Sequence, residues 1–320
     1  MRYALLFPGQ GSQEVGMLGS LAAAHPVIDD TLREASAVLG RDLLDLIRNG
    51  PAEELNRTQR TQPALLAASV AVARLWDAQA LPAPSALAGH SLGEYSALVV
   101  SGAIDFADAL KLVELRGELM QAAVPQGVGA MAAVIGVDDD IVEKACAAYD
   151  GEGVLEPANY NAPGQVVVAG NKAAVDWLVA NAKTFGIRKV MPIPVSVPSH
   201  CSMMKGAAQQ LGARLQQVSI RAPKIPVLHN LDGAARSHPD DIRTALIEQL
   251  YRPVRWVQTI QRLEADGATA LLECGPGKVL ATINKRIVNV APGAIASIAI
   301  GDADGFAQGT QLFQAETQQA

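Results

Sequence analysis

Cysteine is scarce in this chain. Its 320 residues hold three, Cys146, Cys201 and Cys274, widely spaced and with no Cys-x-x-Cys pair. An odd, scattered set excludes a disulfide framework and a cysteine zinc site, and it fits a reduced, cytoplasmic chain. No His-Glu-x-x-His or comparable cluster offers a metal site either. Basic charge is not in excess: the formal net charge is −6, which excludes bulk binding to nucleic acid. A local basic patch would still be able to receive an acidic partner. Long apolar runs are missing as well. The stretch 64–73 is about half a membrane span and ends at Arg74. The opening Met1–Pro8 is too short an apolar run for a signal peptide. There is no low-complexity segment and no solenoid-length repeat. What remains is ordinary globular composition, 49% hydrophobic and 18% charged, in a chain long enough to bury a core without staples.

The patterning alternates strands and helices. Tyr3–Phe7 reads as a buried strand ending in the glycine loop Pro8-Gly9-Gln10-Gly11-Ser12. Pro63 is placed to open a helix that runs to Trp76. Ala86–Ala88 reads as a strand and Glu94–Val100 as a helix; Pro226–Asn230 and Ala270–Glu273 read as strands, with helices at Ile242–Tyr251 and Val254–Ala265. This predicts an α/β domain with a mainly parallel sheet. The middle of the chain differs. Met131–Gly136, Val154–Asn159, Gln165–Gly170 and Arg188–Ser196 are strand candidates, and Asp138–Tyr149 and Lys172–Phe185 are helical, the second ending at Gly186. A turn signal, Asn161-Ala162-Pro163-Gly164, separates the central pair. The order β-α-β-β-α-β is the ferredoxin-like pattern. The division expected is a large domain from residues 1–126 and 198–320, and an inserted small domain from 127–197.

One motif carries chemistry. Gly89-His90-Ser91-Leu92-Gly93 fits G-x-S-x-G, a strained strand-to-helix turn that needs small residues beside the serine. A serine hydroxyl needs a base. Among five histidines, His25 and His238 precede prolines, His229 ends a strand, and His90 adjoins the serine at a turn where neighbours point apart. His200 follows Pro198-Ser199, just past the end of the last strand of the small domain, and a strand end beside an inter-domain crevice is where a catalytic base can sit. Arg116 lies on the apolar stripe Ala109, Leu112, Val113, Leu119, Met120 of a helix near 105–121. A buried guanidinium needs an anion, either a protein carboxylate or one on a substrate. Gly9-Gln10-Gly11 is positioned to supply a backbone N–H. It is no dinucleotide fingerprint, and Gly275-Pro276-Gly277-Lys278 has the wrong spacing for a phosphate loop.

Further blocks join these: Thr61-Gln62-Pro63, Leu115-Arg116-Gly117, Asn159-Tyr160-Asn161 with Pro163-Gly164-Gln165, Val195 to His200, and Gly275 to Leu280. In this order, over nearly the whole chain, the sequence resembles the bacterial malonyl-CoA:acyl carrier protein transacylases of fatty acid synthesis. The resemblance implies an α/β-hydrolase-like domain with a ferredoxin-like insertion. It implies Ser91 as nucleophile and His200 as base, with the amides of Gln10 and Leu92 as the oxyanion hole. Arg116 would pair with the malonyl carboxylate, Gln62 and Asn159 would line the substrate site, and Gln249 would orient the base through its main-chain carbonyl. No catalytic Asp or Glu is implied, no metal, and no permanently bound cofactor; malonyl-CoA and holo acyl carrier protein are substrates. The carrier is an acidic, transient partner, and Arg188, Lys189, Lys285 and Arg286 are candidates to receive it. A monomer is expected, with no nucleic-acid or membrane partner.

Spacing alone leaves other readings open. A serine hydrolase uses the same turn with water as acceptor. A non-catalytic docking module would keep the fold. The malonyl transferase of a malonate decarboxylase and a polyketide acyltransferase share the chemistry. Leu92 after Ser91, and Val197-Pro198-Ser199 before His200, resemble the malonyl-type, fatty-acid version.

Overall fold

Tyr3–Phe7 is buried at all five positions, as a strand covered on both faces must be. In the computed structural model, which describes residues 1–195, 197–288 and 295–317 with side chains through 314, it is the central strand of a parallel sheet. The described strands, in chain order, are β1 (Tyr3–Phe7), β2 (Ala86–Gly89), β3 (Gly129–Ile135), β4 (Leu155–Ala162), β5 (Gln165–Asn171), β6 (Lys189–Ile193), β7 (Val227–Leu228), β8 (Ala270–Glu273) and β9 (Ala296–Ala299). The large sheet has the order β7-β2-β1-β8-β9, and every pairing in it is parallel. Alternate residues of β1 face opposite cores. Tyr3, Leu5 and Phe7 pack with the helices Thr58–Asp77 and Phe106–Ala122; Ala4 and Leu6 pack with the helix Trp256–Ala265.

The second sheet is antiparallel, with the order β4-β5-β3-β6. The helices Asp139–Ala147 and Lys172–Asn181 cover one face through Ala132, Val134, Val166 and Val168. On the other face Met131, Val167 and Ala169 meet Cys201, one residue after the candidate base. The fold is therefore mixed α/β, with a mainly parallel sheet and a separate antiparallel one.

Several boundaries differ from the sequence expectation. The helix placed at Pro63 begins at Thr58, so Pro63 lies inside it. The Thr61 hydroxyl, with its single proton, lies 2.6 Å from Leu55 O and 3.1 Å from Arg57 O in the first turn. The strand expected over Pro226–Asn230 pairs only at Val227–Leu228, because the Asn230 amide turns to the Glu94 carboxylate instead. β4 runs on to Ala162, through two register shifts, leaving Pro163-Gly164 as the turn. Lys172–Phe185 splits into an α-helix to Asn181 and a 3-10 turn capped by Gly186 in the left-handed region, φ 73°. Leu119 is half-buried, and Phe106, Leu110 and Gly117 join the buried stripe around Arg116. A Cβ at Gly117 would stand 2.6 Å from Gln59 Cα, so this glycine lets the Arg116 helix close on its neighbour. The last small-sheet strand, expected over Arg188–Ser196, spans only Lys189–Ile193; Ser196 itself lies outside the described residues, as do 289–294 and 318–320. No described helix is long and apolar enough to cross a membrane.

Candidate active site

The site forms where the parallel strands end, the usual place for ligands in an α/β sheet. Ser91 sits two residues past β2 with φ 52°, a left-handed conformation that a non-glycine residue adopts at a cost of roughly 1–3 kcal/mol. The flanking glycines have no alternative. A Cβ on Gly89 would stand 1.9 Å from the Gly93 carbonyl carbon, and one on Gly93 would stand 2.0 Å from Phe7 O. Asn230, just after β7, secures the turn from the side: its Oδ1 accepts from Ser91 N at 2.7 Å, and its Nδ2 donates to Gly89 O at 2.6 Å.

His200 is the only one of the five histidines that reaches Ser91. Its Nε2 lies 2.8 Å from Ser91 Oγ and its Nδ1 lies 2.7 Å from Gln249 O. A carbonyl only accepts, so Nδ1 carries the proton and Nε2 is free to accept from the serine hydroxyl. His200 has φ 63°, so both members of the pair are held in the left-handed region. Its amide donates to Leu250 O at 2.9 Å, so the end of the helix Pro239–Gln249 grips both ring and backbone. Burial, and next the Arg116 charge, push the imidazole pKa down to about 3, so it is neutral and able to take a proton. The neighbouring His90 points elsewhere: its Nε2 lies 2.8 Å from Asn161 Oδ1 and its ring packs on Trp256. His229 pairs with Glu94, and His238 caps a helix.

Arg116 is 1% exposed. Its Nη1 donates to Gln62 Oε1 at 2.8 Å; its Nη2 donates to Gln249 Oε1 at 3.0 Å and to Ser91 Oγ at 3.2 Å. Its carbon lies over the Tyr95 ring at 5.5 Å, and its Nε has no partner. No carboxylate of the described residues pairs with it directly. Burial lowers its pKa, though a guanidinium stays charged. Two amides are turned so that their carbonyls face it. Gln62 Nε2 points at Met120 Sδ at 3.5 Å; Gln249 Nε2 donates to Ser91 O and to Glu94 Oε2, each at 3.0 Å.

Glu94 was not singled out from the sequence. It is fully buried, with Oε1 at 2.7 Å from His229 Nδ1 and Oε2 accepting from Asn230 N at 2.9 Å. Burial alone would raise its pKa, but the His229 charge and these hydrogen bonds bring it below the ordinary glutamate value. A carboxylate one residue past the second motif glycine was the available signal for it. Nothing local pointed to Asn230.

The loop after β1 lies against the serine turn, since a Cβ on Gly9 would stand 2.6 Å from His90 O. Among the described residues neither the Gln10 amide nor the Leu92 amide has a hydrogen-bond partner. Asn159 is buried on β4 where that strand bridges to Val254, and its side chain makes no hydrogen bond to Ser91 or His200. The far side of the glycine loop borders a cleft of about 1110 Å³, lined by Ser12, Lys278 and Lys285 among others but by neither Ser91 nor His200. That cleft is wide and open, and it lacks the reacting groups, so the site is placed at the serine turn. No described His, Cys, Asp or Glu residues cluster to hold a metal.

Comparison with known proteins identifies the family. The model of the acyl transferase domain family matches residues 4–320. The malonyl CoA-acyl carrier protein transacylase of Escherichia coli K12 is 54% identical over 90% of this chain and 93% of its own. The chain belongs to the malonyl-CoA:acyl carrier protein transacylase family. It is thus an acyltransferase. The family member from Coxiella burnetii has a solved structure that superposes with a TM-score of 0.94 at 44% identity, covering 98% of each chain. A malonyl-transacylase solved in complex with its type II polyketide acyl-carrier protein gives a TM-score of 0.93 at 48% identity, over 96% of this chain and 98% of that one.

Proposed function

We propose that the chain transfers malonyl from malonyl-CoA to the phosphopantetheine thiol of an acyl carrier protein, through a malonyl ester on Ser91, and so supplies extender units for fatty acid biosynthesis. The observation that carries the choice of acyl group is Arg116. It is a fully buried cation beside the nucleophile, hydrogen-bonded to neutral acceptors and with no direct carboxylate partner among the described residues. A malonyl group on Ser91 ends in the carboxylate that would pair with it; an acetyl group would leave it unpaired.

In the first half-reaction Ser91 Oγ attacks the thioester carbonyl while His200 Nε2 takes the hydroxyl proton. The carbonyl oxygen becomes an oxyanion, received by the Gln10 and Leu92 amides; one such donor is worth roughly 3–4 kcal/mol in acyl transfer. Collapse of the intermediate breaks the C–S bond, and His200 returns its proton to the departing thiolate. The second half reverses these steps with the carrier thiol as nucleophile. Gln249 O lies at the C-terminal end of a helix, where the dipole favours the imidazolium that forms. We read this as a Ser–His dyad, with Gln62 and Asn159 lining the substrate site.

In finer terms of fold, the serine turn on a parallel sheet supports an α/β-hydrolase-like reading of residues 1–126 and 198–320. The order β4-β5-β3-β6 supports a ferredoxin-like reading of 127–197. For the carrier we propose the basic row across the small sheet. Lys189 pairs with Ile135, Ile135 with Gln165, and Arg286 donates to Gln165 Oε1 and to Pro163 O. Lys189, Arg188, Lys285 and Arg286 are all exposed. We expect no resident cofactor or metal, a monomer, and a cytoplasmic location in keeping with three unpaired cysteines. The test is intact mass after mixing with malonyl-CoA and then with holo carrier protein. An adduct of malonyl mass on Ser91 that clears onto the carrier is expected. An adduct that clears equally fast to free malonate without carrier would make the chain a hydrolase.

A further inference from the structure

His200 is held in a strained backbone conformation, φ 63°, and such a residue persists only where its surroundings over-determine it. The large domain supplies one hold, through Leu250 O on the amide and Gln249 O on the ring. The other hold comes from the small sheet. Two residues past the base, Ser202 N and Ser202 Oγ both donate to the carboxylate of Glu156, each at 2.7 Å. The other described hydrogen bonds of this segment go to close sequence neighbours: Cys201 Sγ to Pro198 O, Met204 N to Cys201 O, and Lys205 N to Ser202 O at the start of the next helix. Glu156 is thus the one sequence-distant hydrogen-bonding partner of the stretch 201–204 among the described residues.

Glu156 lies on β4, and the same strand reaches the nucleophile. Ala158 O and Tyr160 N exchange bonds with Val254 N and O, at 2.9 Å each; Arg255 N donates at 2.8 Å to O of Asn230, the residue whose side chain secures the serine turn. At the far end Asn161 Oδ1 meets His90 Nε2, next to Ser91. One strand of eight residues is therefore tied near one end to the base segment and at the other to the nucleophile turn.

We propose that Glu156 is a positioning residue for His200, and that β4 is the strut that holds the base in register with Ser91. The carboxylate suits the task because two oxygens match the N–H and O–H of Ser202 at once. Glutamine keeps one acceptor, and the serine hydroxyl can turn to receive its amide, so it should serve in part. Alanine leaves both donors to solvent and frees the segment.

The inference rests on Ser91 and His200 being the reacting pair. It is tested by single-turnover acylation of the full chain with malonyl-CoA, following both rate and final stoichiometry by intact mass. Glu156→Ala should slow acylation about ten- to a hundred-fold, the scale of a small misplacement of a reacting group, with final stoichiometry unchanged. Glu156→Gln should recover much of the rate. Ser202→Ala should lose less than Glu156→Ala and add nothing to it in the double variant, since both act through one contact. A purely structural role would lower the stoichiometry and leave the rate of the loaded fraction intact; that outcome overturns the proposal, as does a Glu156→Ala rate within about twofold of the parent. If Glu156→Ala does not fold, Ser202→Ala decides, and an unchanged rate there counts against the strut. Ser91→Ala and His200→Ala separate the two readings. If they acylate normally, the reacting pair is wrong and the strut falls with it; if they do not acylate while Glu156→Ala is fast, only the strut falls.

Discussion

His200 Nδ1 donates to the main-chain carbonyl of Gln249 at 2.7 Å, and this bond fixes Nε2 as the acceptor that faces Ser91. With its pKa pushed down to about 3 by burial and then by Arg116, the imidazole is the neutral base throughout the physiological range. Acylation of Ser91 by a neutral reagent should therefore stay flat from pH 8 to below pH 6. An acid limb centred near pH 6.5 would show an exposed base instead. The same shift sets a stability slope. Below about pH 6.5 the unfolded chain binds a proton at this histidine that the folded chain refuses, so this contribution to stability falls as pH drops from about 6.5 toward 3. Melting curves of the parent and of His200→Gln should converge as the pH is lowered through that window.

Arg116→Ala removes the cation but leaves Ser91 and His200 in place. Malonyl transfer should fall by roughly 100-fold or more, in line with losing one side of a buried charge pair, while acetyl transfer changes far less. The ratio of the two rates is the measurement. Equal losses would remove Arg116 from carboxylate recognition.

The serine turn tolerates no side chain at Gly93, where a Cβ would stand 2.0 Å from Phe7 O. Gly93→Ala should cost at least about 3 kcal/mol in urea unfolding, because backbone and not a movable side chain is in the way. Gly206, in the helix Lys205–Leu215, has nothing within 4 Å of the same added atom. Gly206→Ala should be neutral or stabilising by up to about 1 kcal/mol.

Asn230→Asp keeps the acceptor for Ser91 N but replaces the donor to Gly89 O with a second acceptor. Acylation should slow, with stability reduced by about 1–3 kcal/mol for the buried carbonyl left unpaired. Unchanged kinetics would show that the turn is set by its glycines alone.

Reversing charge at Lys285 and Arg286 together should raise KM for the carrier protein and leave malonyl loading of Ser91 from malonyl-CoA unaltered. The effect should shrink as salt is added, as it does for exposed charges. An unchanged carrier KM would remove these two residues from the docking row.

Much of this was legible where the signal was local. β1 and β8 fall on their expected residues, and the strand–turn–helix around Ser91 follows from two glycines and their flanks. Arg116 stood out because a charge on an apolar stripe breaks the helical pattern. Pro63 misled, since burial of most of the helix Thr58–Asp77 outweighs the one hydrogen bond that a proline removes. Asn230 and Glu94 were missed for a different reason. Their bonds to Ser91 N and His229 span 139 and 135 residues, and no periodicity records a contact made only by folding.

A main-chain carbonyl orients the base here, and a carbonyl has no side chain to lose. Where a carboxylate does this work, one base change in the gene can delete it. At residue 249 any of the amino acids still presents the same oxygen, so long as the helix ends where it does. The orienting group belongs to the backbone, so exchanging a side chain displaces it only by moving the end of the helix. The side chain of Gln249 is consequently left free to serve a different group, and its two ends are committed to Arg116 and to the carbonyl of Ser91.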